Sequence, residues 1–342
     1  MSTSLLLVDD PLFYEHRAPA GHPERPERLD AARAALAKAD VSLPRLELPA
    51  RDASDGELGR VHSARYIAEL GRVAGHRGYF DADTYYAEGS VAAARRAAGG
   101  AVQLCASLLH GDALFGLALL RPPGHHARPD GAMGFCLLNN VAVAAAHARA
   151  QGAARVLIFD WDVHHGNGTQ EIFYADPSVL YVSTHQFPFY PGTGDNDEIG
   201  VGEGRGFTVN VPLSAGADDA VYCAAFDRLI TPVVQQFAPT LVLVSAGFDA
   251  HRRDPLAQMA LSENAFARMT VDLRRAAGVE APIGFFLEGG YDLEGLGRSL
   301  SATVEALEGP LTAAPPGPTL SQAHENDLAR ARRAIEPYWR LS

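Results

Sequence analysis

The chain has 342 residues, of which 47% are hydrophobic and 20% charged, and its formal net charge is -12 at pH 7. This composition suits a globular protein that buries a sizeable core, and it argues against disorder. The acidic balance repels phosphate polymers and anionic bilayers, so neither nucleic acid nor membrane is an expected partner, and cationic partners are mildly favoured.

The N-terminal segment has no basic region, and its apolar run at 5–8 is too short for a signal peptide or a membrane span. A cytoplasmic location is the expectation, and the Ala- and Arg-rich usage has a bacterial look. Run 5–8 is instead the first of several short strands. In chain order, the pattern predicts a helix at 90–109, a strand at 114–119, a helix at 140–150 and strands at 156–159, 179–182 and 207–211. A helix at 218–236, a strand at 241–244, a helix at 263–277 and a strand at 283–287 follow. Near-continuous apolar strands alternating with Ala-rich helices imply a doubly wound α/β fold, a mostly parallel sheet covered on both faces. One domain is expected over residues 1–309. A Pro-rich stretch at 310–318 then ends the compact part, and a terminal helix at 320–335 belongs to the same domain.

In such sheets ligands bind beyond the carboxyl ends of the strands. Four unusual clusters fall there. The run from Val156 reads VLIFDWDVHHGNG and ends with Asp160, Asp162 and His164 at alternating positions. If the extended conformation persists, these three project to one side and suit a divalent metal. The alternative is that the aspartates cap a following helix. After the strand at 241–244, Asp249 offers a further carboxylate, a natural metal ligand or an N-cap. The three cysteines, Cys105, Cys136 and Cys223, are odd in number and widely spaced, so any metal needs His and carboxylate ligands. After the strand at 114–119, RPPGHH presents His125 and His126, which suit general acid and base work better than paired ligation. The last strand runs into Glu288-Gly-Gly-Tyr291, where the glycines let a phenol reach a developing oxyanion.

Together with His22-Pro-Glu-Arg-Pro26, Asp81-Ala-Asp83, Gly134-Phe-Cys-Leu-Leu-Asn-Asn140 and Tyr190-Pro-Gly-Thr-Gly194, these segments resemble the zinc-dependent histone deacetylase and acetylpolyamine amidohydrolase superfamily, in its class II and bacterial branches. The resemblance covers most of the chain. It implies the arginase/deacetylase fold and one zinc ion per chain, held by Asp162, His164 and Asp249. It implies His126 as general base oriented by Asn167, His125 as a companion imidazole held by Asp160, and Tyr291 as oxyanion donor. Gly134, Phe135 and Tyr190 would wall a narrow acyl-lysine tunnel, although relatives often carry Phe where Tyr190 stands. Asp81 or Asp83 would hold the substrate backbone, with no choice between them from sequence. The backbone at 160–164 with Ser183 and Thr184 resembles a structural potassium site.

The substrate implied is an acylated lysine of proteins or peptides, or a small acylamine. Polyamine-selective relatives carry a glutamate where Leu256 stands here, which favours lysine. Arg252 and Arg253 would oppose a polycation if they face the mouth. A non-catalytic acyl-lysine binder should lack Tyr291 or the His pair, and this chain has both. The oligomeric state is unread.

Overall fold

A computed structural model describes residues 4–310 and 319–341, so the Pro-rich stretch lies, past Pro310, outside the described residues. The strands in chain order are β1 (Leu5–Val8), β2 (Arg45–Glu47), β3 (Gly78–Tyr79), β4 (Tyr85–Tyr86) and β5 (Phe115–Ala118), then β6 (Val156–Asp160), β7 (Val179–Gln186), β8 (Thr208–Leu213), β9 (Leu241–Ala246) and β10 (Ile283–Leu287). Eight of them form one sheet in the order β2-β1-β5-β10-β9-β6-β7-β8, and every pairing is parallel. β3 and β4 pair as a small antiparallel hairpin. The seven apolar runs all became strands of this sheet. β2 was not expected, because its three exposed residues hold a single leucine and no apolar run. It borders β1 at the sheet edge.

Every residue of β5, β6, β7, β8, β9 and β10 is buried, as helices on both faces require. Helix Ser90–His110 packs on β1, β5 and β10, and helix Asn140–Ala150 packs on β6 and β9. On Trp161, just past β6, converge the rings of Phe159, Phe248, Phe266 and Phe285, at centroid distances of 5.8–6.4 Å. The architecture is that of a single α/β domain with the sheet between helices.

The helix expected at 218–236 is interrupted. It runs as Asp219–Ala225, widens into a π turn at Phe226–Ile230 and resumes as Thr231–Phe237. Pro232 explains this, since its ring lacks an N–H and clashes with the carbonyl one turn back in a regular α-helix. Helix Gln322–Ile335 lies against β8 with Leu328, Ala331 and Ile335 buried. Asp327 there accepts the Ser214 N–H at 2.8 Å.

A buried ionic cluster fastens the N-terminal segment to the sheet. Glu24, fully buried, accepts from Arg28 Nη1 (3.1 Å), Arg121 Nη2 (2.8 Å) and the Tyr85 hydroxyl (3.0 Å). Arg28 also donates to the carbonyls of Glu288 and Gly290, the latter at 2.7 Å. Each buried charge is thereby paired and hydrogen-bonded, without which its burial would be strongly unfavourable. The cluster's members and partners Arg121, Glu288 and Gly290 lie just past the carboxyl ends of β5 and β10.

Candidate active site

β5, β10, β9 and β6 are consecutive in the sheet, so their carboxyl ends bring together RPPGHH, EGGY, AGFD and DWDVH. Ligand atoms of Asp162, His164 and Asp249 all lie within 4.8 Å of one another. Nδ1 of His164 is 3.2 Å from Asp162 Oδ1 and 3.2 Å from Asp249 Oδ2.

Backbone amides hold the carboxylates in place. His164 N–H donates to Asp162 Oδ1 (2.9 Å), Gly289 N–H to Asp162 Oδ2 (2.8 Å) and Val163 N–H to Asp249 Oδ1 (2.8 Å). Asp249 Oδ2 is buried and accepts no hydrogen bond. A Cβ at residue 289 would lie 2.1 Å from that same oxygen and 2.6 Å from Asp162 Oδ2, so only glycine leaves the space open. Burial, then the Asp162 carboxylate, pushes Asp249 up to about 7, a conflict that a bound dication would relieve. Two carboxylates and one imidazole with an orphaned oxygen fit a divalent ion such as zinc.

Asp160 does not join them. β6 ends at Asp160, so the side-chain alternation of a strand does not extend to Asp162 and His164. Its Oδ2 instead accepts from His125 Nδ1 (3.0 Å) and the Tyr181 hydroxyl (3.2 Å). The two adjacent histidines have rings 4.0 Å apart but different partners, since His126 Nδ1 donates to Asn167 Oδ1 at 2.8 Å. Their titration differs accordingly. Burial opposes a charge on His125, but the Asp160 and Asp162 carboxylates outweigh it and push His125 up to about 10. Burial, then the neighbouring His125 and His164, holds His126 well below the usual imidazole value. Desolvation pushes the Tyr291 pKa well up, so it stays a protonated phenol, although its side chain is only half-buried where it faces the cavity.

A cavity of about 190 Å³ opens onto this cluster. Its inner end is lined by His126, His164 and Tyr291, and its walls by Gly134, Phe135, Phe189, Tyr190 and Leu256. The Tyr190 ring stands edge-on to His126 at 5.3 Å, and Phe189 stacks on His164 at 5.6 Å. Sequence reasoning named Tyr190 and missed Phe189. Both belong to the Phe-Pro-Phe-Tyr-Pro run, whose cis bonds at Pro188 and Pro191 no pattern announced.

Of the two acidic candidates, Asp83 lines the cavity. Asp81 is engaged otherwise: its Oδ1 accepts the N–H groups of Asp83 (3.1 Å) and Thr84 (2.7 Å), closing the hairpin turn. Arg252 and Arg253 do not line the cavity. Arg253 pairs with Asp292 (2.9 Å) and Glu294 (2.8 Å), and Arg252 lies 3.9 Å from Glu263. Of the residues read as a potassium site, Ser183 Oγ bonds His185 Nδ1 at 2.9 Å and Thr184 Oγ1 is buried without a partner. Among the described residues no helix is long and apolar enough to cross a membrane.

The Histone deacetylase domain family model matches residues 22–307. Histone deacetylase 15 of Arabidopsis thaliana is 46% identical over 294 residues, covering 84% of this chain and 53% of that protein. Polyamine deacetylase HDAC10 of Homo sapiens is 43% identical, covering 99% of this chain and 52% of its own length. A probable deacetylase of Archaeoglobus fulgidus is 40% identical, with 83% and 80% covered. The chain therefore spans about half the length of the first two relatives. The crystal structure of the HDA15 HD domain is similar with a TM-score of 0.91 at 40% identity, covering 98% of this chain and 95% of that one.

Proposed function

The chain belongs to the histone deacetylase family, and we propose that it is a zinc-dependent amidohydrolase that removes acetyl or related acyl groups from lysine side chains of proteins or peptides. One observation carries this reading. The metal-ligand triad, a buried imidazole on an amide partner and a protonated phenol meet at the inner end of one narrow, aromatic-walled cavity. An ion held by Asp162, His164 and Asp249 would polarise the scissile carbonyl and acidify the attacking water.

The side chains supply the rest. With Nδ1 of His126 donating to Asn167, its Nε2 is left to take the water's proton and return it to the leaving amine. Its lowered pKa keeps it neutral at pH 7, with Nε2 free to accept a proton. His125, held cationic by Asp160, keeps positive charge beside the site. The Tyr291 hydroxyl donates to the developing oxyanion. Phe135 and Tyr190 flank the substrate's methylene stem, and Asp83 at the wall accepts its amide N–H. We also propose a structural potassium ion at Ser183, Thr184 and the backbone of 160–164.

Gly134 restricts this site sharply. It sits at φ 55°, and a Cβ there would lie 2.4 Å from His126 Cδ2. Gly134→Ala is expected to lower kcat/KM about 10²-fold by displacing the base, since misplacement by an ångström costs about that much. Steady-state kinetics at full zinc content checks this, and wild-type turnover would contradict it.

The second reading, a deacetylase of acetylpolyamines, is favoured by the similarity to the human polyamine deacetylase and by the Asp83 carboxylate on the wall. Leu256 favours lysine, because an apolar side chain offers nothing to a distal ammonium. Comparing kcat/KM on an acetyl-lysine peptide and on acetylspermidine tests the choice, with the peptide expected to win. Leu256→Glu is expected to shift the ratio toward acetylspermidine by roughly tenfold, the equivalent of one modest ion pair. An unchanged ratio would remove Leu256 from the argument.

A further inference from the structure

Asp254 lies on the loop that follows Asp249, and it is 8% exposed. Asp254 is not itself among the residues that line the cavity. Instead Oδ2 accepts the N–H groups of Tyr291 (2.6 Å) and Asp292 (3.3 Å), while Oδ1 accepts the N–H of Leu256 (2.9 Å). Tyr291 and Leu256 come from different loops and line the same cavity. One side chain thus grips the backbone under the proposed oxyanion donor and under the residue that separates lysine from polyamine.

That grip matters because the chain before Tyr291 is intrinsically loose. Gly289 and Gly290 precede it, with Gly290 at φ 120°, a conformation that only glycine adopts readily. The carbonyl of Gly290 is held by Arg28 at 2.7 Å, and Phe248 N–H donates to the carbonyl of Gly289 at 3.0 Å. Among these contacts Asp254 alone reaches the Tyr291 amide and also the loop bearing Leu256.

We propose that Asp254 is a positioning residue that fixes Tyr291 and Leu256 relative to one another, so that the reacting and the selecting walls of the cavity are set together. For the role of Tyr291 this rests on the reading above. Two acceptor oxygens are required, one for each loop. An asparagine of the same shape has one acceptor oxygen, and its amide NH₂ would face either the Leu256 N–H or the pair at Tyr291 and Asp292. One of the two loops must then be released.

The test is a double-mutant cycle of Asp254→Asn with Tyr291→Phe on an acetyl-lysine peptide, with zinc content and unfolding temperature measured on each variant, combined with hydrogen exchange at the Leu256 and Tyr291 amides. Asp254→Asn alone is expected to lower kcat by about 10- to 100-fold with KM changed less than about threefold, a share of what a lost oxyanion donor costs. In the Tyr291→Phe background the same substitution is expected to cost under about threefold, since two groups acting as one unit are not additive. Exchange should quicken at Leu256 or at Tyr291. Full, additive cost in the Tyr291→Phe background would overturn the proposal, as would unchanged kcat. Should Asp254→Asn not fold, exchange on the wild-type protein decides: fast exchange at both amides overturns the grip, and protection at both supports it. That exchange measurement needs no turnover, so it stands even if the wild-type protein leaves acetyl-lysine intact, a result that would instead overturn the deacylase reading.

Discussion

The His126→Ala variant is expected to hydrolyse an acetyl-lysine peptide roughly 10³-fold more slowly than the wild-type protein, within the range that positioned proton transfer contributes. The argument rests on geometry before titration. His126 reaches the inner end of the cavity beside His164, and its Nδ1 is tied to Asn167 Oδ1 at 2.8 Å, which fixes the tautomer with a free Nε2. His125 cannot replace it, because its Nδ1 is bound to Asp160 and the carboxylates hold its proton up to about pH 10. Burial and the neighbouring imidazoles lower the pKa of His126, so protonation removes the base only below the usual imidazole range. The loss should appear in kcat with zinc content unchanged. Turnover within threefold of wild type would remove His126 from the mechanism.

Tyr291→Phe is expected to cost about 10²- to 10³-fold in kcat, the range for removing one preorganised oxyanion donor. The substitution deletes only the hydroxyl. The ring would keep its edge contact with Phe135 at 6.0 Å and its place beside the Arg28 guanidinium at 5.1 Å, so KM should move little. Because the phenol is held protonated far above neutrality, this variant should show the same pH profile as the wild type at lower amplitude. An acetyl-lysine assay from pH 6 to 9 measures both, and a KM rise without a fall in kcat would reassign Tyr291 to binding.

The sites that were legible in the sequence share one property: a buried apolar strand stops abruptly at charged residues. Asp162, His164 and Asp249 were readable in this way, and so were the His pair and Tyr291, because parallel strands all deliver their carboxyl ends to one edge. The alternation argument went too far at Asp160, since it assumed an extended chain where β6 stops. The fold was legible for the same reason, except at β2, which is exposed and has no apolar run, and at Pro232, whose effect is a π turn within a helix rather than its end.

What sequence could not give were pairings between distant segments. Glu24 meets Arg121 from another part of the chain, and Asp254 reaches across to Tyr291; no local pattern announces either pairing. That Asp83 and not Asp81 lines the cavity follows from which carboxylate the hairpin turn consumes, since Asp81 accepts the N–H groups of both Asp83 and Thr84. Phe189 lay beside a residue that was named, but which of two adjacent aromatic rings faces a cavity depends on the backbone path of the loop, and here both do.

The central claim is that Asp162, His164 and Asp249 hold a zinc ion on which the hydrolysis of an acyl-lysine amide depends. The most direct test is to strip the protein with a chelator, measure hydrolysis of an acetyl-lysine peptide, and titrate zinc back while recording turnover and bound metal. Turnover should vanish and return in full as zinc reaches one equivalent per chain, and Asp249→Ala should neither bind zinc tightly nor recover. Undiminished hydrolysis by the metal-free protein, or full recovery in the Asp249→Ala variant, would contradict the account.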